Sequence, residues 1–256
     1  MSNNFLKKLI SPLIISLGKK IEKNNFSKPP ILIVACPRSG TTMLLSILSA
    51  HPHIHAIKRQ TYTFDKWENG GQPKPLRMDR LYRELIIQKI SDSAQRWLEK
   101  TPKHLQNVDK ILNYLPEAKI INIFRDGRDV VTSKHPKHTP DKYWVDIDRW
   151  VEYIEMGLKY SNKPNFLSVR YEDIVNNYKN EIKRILLFLN EEYTIEMDEW
   201  YKNAQFEKSK HLRNGVQKLH SNSIGRWQKN EHQKRIAEFM ANKKAVELMK
   251  KLNYID

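Results

Sequence analysis

Apolar residues are grouped along this chain in two distinct ways. Residues 31–35 (Ile-Leu-Ile-Val-Ala) and 119–124 (Lys-Ile-Ile-Asn-Ile-Phe) are nearly unbroken hydrophobic runs. Runs of this length suit strands buried on both faces of a parallel sheet. Elsewhere the apolar positions recur at helical spacing, as in Leu105, Val108, Ile111, Leu112 and Leu115. The pattern predicts helices over residues 43–50, 81–90, 104–115, 129–133, 143–160, 171–189 and 235–251. Short strands are predicted at 96–100, stopped by Thr101-Pro102, and at 165–169. Residues 51–80 are polar and irregular, carry Gly70-Gly71 and several prolines, and read as surface loops. Strands alternating with helices imply an α/β fold of three layers: a central parallel sheet flanked by helices.

The first 28 residues stand apart as a basic amphipathic arm, which Pro29-Pro30 separates from a domain over residues 29–256. Leu6, Leu9, Ile10, Leu13, Ile14, Leu17 and Ile21 share one helical face, with Lys7, Lys8, Lys19 and Lys20 elsewhere. Two readings stay open. Residues 5–21 lie on an anionic membrane surface, or the arm packs on the domain or on a partner. Pro12 weakens the helix. The apolar stretch is interrupted by Lys7, Lys8 and Pro12 and is too short for a membrane span, which needs about 20 residues.

Composition narrows the class. Of 256 residues, 39% are hydrophobic and 29% charged, which fits a soluble globular chain with one sizeable core. The single cysteine, Cys36, excludes an internal disulfide and a cysteine-based zinc cluster. That fits a reducing compartment, and the expected location is the cytoplasm, with peripheral contact at the inner membrane surface as an option for the arm. The formal net charge of +16 favours anionic partners. There is no zinc-finger or RNA-binding signature, so no specific nucleic acid is expected.

Two segments have the mechanics of anion sites. The run at 31–35 leads into Cys36-Pro37-Arg38-Ser39-Gly40-Thr41-Thr42 and then a helix. Backbone N–H groups of Gly40, Thr41 and Thr42 at a helix N-terminus would point at an anion, and Arg38 adds a fixed positive fork. The loop lacks the glycine and lysine of a nucleoside triphosphatase loop, so its likeness to a P-loop is mechanical only. The bland alternative is a glycine turn capping a helix. The second segment is Phe124-Arg125-Asp126-Gly127-Arg128-Asp129, again strand, turn and helix. It puts Arg125 at the carboxyl end of its strand, where α/β sheets bind ligands, with Ser133 eight residues on. The alternative there is a turn held by salt bridges among Arg125, Asp126, Arg128 and Asp129. Two anion sites on one sheet call for a ligand with two separated anionic groups.

With these segments the chain resembles the sulfotransferases that use 3′-phosphoadenosine 5′-phosphosulfate (PAPS), in particular Golgi carbohydrate and tyrosylprotein types and their bacterial relatives. Pro37-Arg38-Ser39-Gly40-Thr41-Thr42 resembles the family's 5′-phosphosulfate loop, and Arg125 to Val130 with Ser133 its 3′-phosphate motif. Glu99-Lys100-Thr101-Pro102 and Ser223-Ile224-Gly225-Arg226-Trp227 resemble two further family elements. The resemblance implies that Arg38, Ser39, Gly40, Thr41 and Thr42 bind the phosphosulfate and that Arg125 and Ser133 bind the 3′-phosphate. It also implies that Lys100 stabilises charge on the transferring group, that Tyr171 lies near the nucleotide, and that Ser223, Gly225, Arg226 and Trp227 close over it. The product would be 3′-phosphoadenosine 5′-phosphate (PAP). No metal is expected, so Arg38 and Lys100 would neutralise charge on the leaving oxygen.

The catalytic base departs from the family pattern. Carbohydrate enzymes of this type carry a glutamate where this chain has Gln60, in Arg59-Gln60-Thr61-Tyr62-Thr63-Phe64-Asp65. A neutral amide cannot accept the proton. Asp65 is the first candidate, Glu99 the second, and His51, His53, His55 and His104 have only suitable ordinary pKa values in their favour. Neighbours on a strand face opposite ways, so Glu99 and Lys100 should not both enter a site unless the strand has ended. The acceptor is expected to be a hydroxyl of a glycan or glycolipid. Tyr62, Phe64 and Trp67 are possible stacking faces, or else core rings. Rival readings are an inactive anion-binding relative and a P-loop kinase-like phosphotransferase.

Overall fold

A computed structural model describes residues 3–65, 68–69, 72–73, 76–134, 142–205, 218–219 and 221–256. The strands are β1 (Ile31–Ala35), β2 (Ile54–Ala56), β3 (Glu68–Asn69), β4 (Gln72–Pro73), β5 (Arg96–Lys100), β6 (Lys119–Phe124) and β7 (Phe166–Arg170). The helices are α1 (Asn3–Asn25), α2 (Thr41–Leu48), α3 (Met78–Ile87), α4 (Val108–Tyr114), α5 (Gly127–Val131), α6 (Ile147–Lys159), α7 (Tyr171–Asn176), α8 (Tyr178–Leu189), α9 (Trp200–Asn203), α10 (Gln233–Ala241) and α11 (Lys243–Lys251). Five strands form one parallel sheet in the order β2-β5-β1-β6-β7, flanked by helices, as the alternating pattern predicts. β3 and β4 pair as a separate antiparallel ribbon. The chain divides into two compact units, one of residues 1–33, 42–120 and 194–217, the other of residues 34–41, 121–193 and 218–256.

In the first unit β5 pairs in parallel with β1, Ile33 opposite Lys100, and with β2, Ile54 opposite Arg96. Leu44, Ile47 and Leu48 of α2 are fully buried, as are Val108 and Ile111 of α4. β2 corrects the reading of residues 51–80 as loops throughout. Ile54-His55-Ala56 is too short to announce itself by alternation, and its backbone is completed by a side chain. Gln205 accepts from the Ala56 N–H at 3.0 Å and donates to the Ile54 carbonyl at 2.6 Å.

α1 packs on α3 by close approach. A Cβ at Gly18 would collide with the Tyr82 side chain, so glycine is what lets the helices meet. One turn on, the Glu22 carboxylate accepts from the Tyr82 hydroxyl at 2.9 Å and from the Trp97 indole N–H at 2.7 Å.

In the second unit Gly127 opens α5 against the rings of Trp150 and Phe239, about 2.7 Å from where a Cβ would stand. Several helices differ from the periodicity reading, among them the one over 104–115, which is a 3-10 turn over Pro102–Asn107 followed by α4. The predicted helix over 171–189 is two helices, because Asn177 adopts φ −135°, ψ 49° between α7 and α8. The one over 235–251 breaks at Asn242, whose side chain accepts from the Ala245 N–H at 3.0 Å and caps α11. The one over 143–160 starts only at Ile147. Tyr143 instead bridges Lys134, and the Ser133 carbonyl accepts from the Trp144 N–H at 3.0 Å.

Candidate functional site

The second unit gathers most of the predicted nucleotide-binding residues. β1 ends at Ala35, and Cys36 is buried, its thiol pushed up to about 12 chiefly by desolvation. Arg38 follows at φ 75° and Gly40 at φ 95°. A non-glycine residue in the left-handed region costs energy that the surroundings must over-determine, and such strain clusters at ligand sites. At Gly40 a Cβ would run into the Tyr171 ring, so backbone and ring close on each other. Tyr171 in turn carries the Arg125 guanidinium over its face, 4.4 Å from the ring centre.

Arg125 stands at the carboxyl end of β6. It donates through Nη1 to the Arg38 carbonyl at 3.0 Å and through Nη2 to the Ser223 carbonyl, and it lies 3.6 Å from Asp129. Its Nε is buried with no hydrogen-bond partner among the described residues. Arg38 is lowered from its ordinary pKa by desolvation first and then by the positive charges of Arg125 and Arg226. The positive charges of Arg125 and Arg226 thus bear on Arg38, an arrangement that an anion would relieve. Ser133 lies just past α5, and its hydroxyl donates to the Asp129 carbonyl at 3.0 Å.

Asp129 is the residue whose part sequence reasoning missed. Its carboxylate accepts from the Gly225 N–H at 2.9 Å and from the Trp227 N–H at 3.1 Å. Gly225 adopts φ 75°, and the Trp227 ring takes the Arg128 guanidinium at 4.1 Å. One acidic side chain therefore fastens the segment 223–227 that the resemblance makes a closing element. Arg128 also pairs with Asp126 at 2.7 Å. The salt-bridged turn is thus present together with the cationic cluster. Only contacts across nearly a hundred residues reveal the Asp129 anchor.

The first unit holds the other predicted residues. Lys100 ends β5, is 4% exposed, and donates from Nζ to the Thr42 hydroxyl at 3.2 Å. Burial lowers its pKa to about 8, against a smaller upward pull from Glu99. Glu99 turns the other way. Its carboxylate accepts from the Thr61 N–H at 3.0 Å, the Thr61 hydroxyl at 3.1 Å and the Thr101 hydroxyl at 2.5 Å, and lies 3.2 Å from His104 Nδ1. Desolvation raises its pKa, but His104 and these donors outweigh that and hold it below the usual value. His104 Nε2 accepts from the Phe64 N–H at 3.3 Å, which leaves its proton on Nδ1, toward Glu99.

Asp65 is buried. One oxygen lies 3.5 Å from Lys103, while Oδ1 has no partner among the described residues. Tyr62 sits at φ 52° and is 39% exposed, and Phe64 is a core ring. Trp67 and most of the segment after it lie outside the described residues. His55 is lowered to about 4, by burial first and then by Lys58.

The sulfotransferase domain family matches residues 28–253. The chain belongs to that family. Among its relatives, a putative protein-tyrosine sulfotransferase of Caenorhabditis briggsae is 27% identical over 65% of this chain and 67% of that protein. The mouse heparan sulfate glucosamine 3-O-sulfotransferase 6 is 24% identical over 69% of this chain and 56% of that protein. The chain thus spans between about half and two thirds of the length of these two relatives. In fold, it is similar to the sulfotransferase domain of the Synechococcus PCC 7002 olefin synthase, with TM-score 0.58 at 16% identity over 85% of this chain and 96% of that one.

Proposed function

We propose that this sulfotransferase-domain protein moves a sulfuryl group from PAPS to a hydroxyl of an anionic glycan or glycolipid. The observation that carries the PAPS reading is the convergence of Arg38, Arg125 and Arg226, with the buried donor of Arg125 left over. The donor set fits the ligand. A 3′-phosphate would take up Arg125, and the phosphosulfate would take the N–H groups of residues 40–42 with Arg38. PAPS supplies an activated sulfuryl group on a good leaving group.

In this reading Lys100, hydrogen-bonded to Thr42 in the first turn of α2, presents its ammonium to charge growing on the leaving oxygen. Asp65 is the proposed base, since its Oδ1 is free to accept a proton among the described residues. Glu99 fits a positioning role better. Its Oε1 already takes three donors, and its Oε2 lies 3.2 Å from His104 Nδ1.

The acceptor side rests on the +16 charge, which attracts polyanions, and on the half-exposed ring of Tyr62. A tyrosyl hydroxyl in an acidic peptide is the second reading, favoured by the protein-tyrosine sulfotransferase relative. Two experiments test the proposal. Calorimetry should show PAP binding at least tenfold tighter than adenosine 5′-phosphate, with the advantage lost in Arg125→Ala. Equal affinities would overturn the nucleotide assignment. Transfer of label from radiolabelled PAPS should favour sulfatable glycans over acidic tyrosyl peptides, and the reverse order would install the second reading.

A further inference from the structure

α1 lies ahead of the residues that match the family, and its packing on α3 uses only one of its faces. Gly18 and Glu22 point to Tyr82 and Trp97. On the other face Ile10, Leu13 and Leu17 are 46%, 70% and 49% exposed, at spacings of three and four residues that align them in one stripe. Lys19, Lys20 and Lys23 are exposed along the same helix, and there is no acidic residue between positions 1 and 21. Glu22, the first acid, is committed to Tyr82 and Trp97. The apolar residues read from the sequence as one face are thus divided. Ile14 and Ile21 are partly covered, and Ile10, Leu13 and Leu17 look outward.

We infer that this outward face of α1 seats the protein on an anionic lipid surface, with Ile10, Leu13 and Leu17 entering the acyl boundary and Lys19, Lys20 and Lys23 meeting headgroup charge. Charge complementarity selects the occupant. A stripe of three aliphatic side chains bordered by lysines with no acid among them matches a negatively charged interface. Leu13 at 70% exposure lies at the centre of this stripe, flanked by Ile10 and Leu17 on the same face. The helix is clamped to α3 by a glycine contact and two hydrogen bonds to Glu22, so the face is presented by a fixed element rather than by a free tail.

The test is flotation of the full chain with vesicles of phosphatidylcholine alone and of phosphatidylcholine with phosphatidylglycerol. The wild type should float only with the anionic vesicles, and less so as salt is raised. Leu13→Glu with Leu17→Glu should abolish flotation. Lys19→Gln, Lys20→Gln and Lys23→Gln together should weaken it on the order of 100-fold, at about fivefold per lysine. PAP affinity should be unchanged in both variants, which shows that they fold. Three results would overturn the inference. The wild type fails to float, the variants float equally well, or light scattering finds a wild-type dimer that the Leu13/Leu17 variant breaks, which would give the face to a second copy.

Discussion

The cluster around Arg125 and the segment 61–65 are held together in opposite ways. Around Arg125 the positive charges of Arg125 and Arg226 bear on Arg38, whose backbone is left-handed. Around residues 61–65 the protein instead spends a fully buried carboxylate on fixing one irregular stretch of chain. Glu99 holds Thr61, and His104, paired with Glu99, holds Phe64. Tyr62, between those two pinned residues, takes the left-handed conformation. A cluster of like charges is completed by its ligand, whereas an over-determined one is complete without it. Loss of Arg125 should therefore show mainly in nucleotide affinity, and loss of Glu99 mainly in stability.

The largest expected effect lies at Lys100, the buried cation that most resembles the first kind. Lys100→Ala should lower kcat/KM by about 10³-fold, at the upper end for loss of one charge-stabilising donor. Steady-state kinetics with PAPS decides this, and an unimpaired variant would remove Lys100 from the chemistry. The same residue sets a pH limb. With its pKa lowered to about 8, the ammonium is present below that pH and lost above it. In the free enzyme kcat/KM should therefore fall as pH rises through 8, and Lys100→Arg should move the limb upward.

Glu99→Gln should cost about 3 kcal/mol, because the amide keeps one acceptor but turns a donor toward groups that already donate. Thermal melting should fall by roughly 6–12 °C in a chain of this size. Glu99 is held below its ordinary pKa, so its contribution is present above the unfolded value and lost as pH falls through the folded one. The melting deficit of the variant should then shrink in acid. A variant as stable as wild type but catalytically dead would move the base to Glu99.

Asp65→Asn is expected to lower kcat by about 10²-fold with PAP affinity near wild type. Full turnover in that variant would dismiss Asp65. The smallest effect is expected at Asp129. Asp129→Asn keeps one of two acceptors for the Gly225 and Trp227 N–H groups, so PAP binding should weaken by about three- to tenfold, mainly through faster release. A larger loss than in Arg125→Ala would reverse the ranking of anchor and ligand contact.

What the chain discloses in sequence divides along the same line. Both predicted anion segments are contiguous strand–turn–helix stretches, so the placement of Arg38 to Thr42 and of Arg125 past strand ends is legible from local order alone. The sheet follows from runs such as Ile31–Ala35. The Asp129 anchor is not legible, because its partners lie 96 and 98 residues away. Nor is Gln205 completing β2, at a distance of about 150 residues. The helix breaks at Asn177 and Asn242 escape detection for another reason. Apolar spacing continues through each break, and a single asparagine dihedral or cap is a weaker signal than a periodic face.

The lone thiol of Cys36 gives the strand end before Arg38 a built-in clock. It is buried and holds its proton to about pH 12, so alkylating reagents meet no thiolate while the strand end stays closed. Each modification event would therefore count an opening of the chain just ahead of Arg38. Because the protein has one cysteine, the rate of labelling reports that opening alone. Slowing of the rate by PAP would measure, without any acceptor in hand, how firmly the nucleotide locks the loop shut.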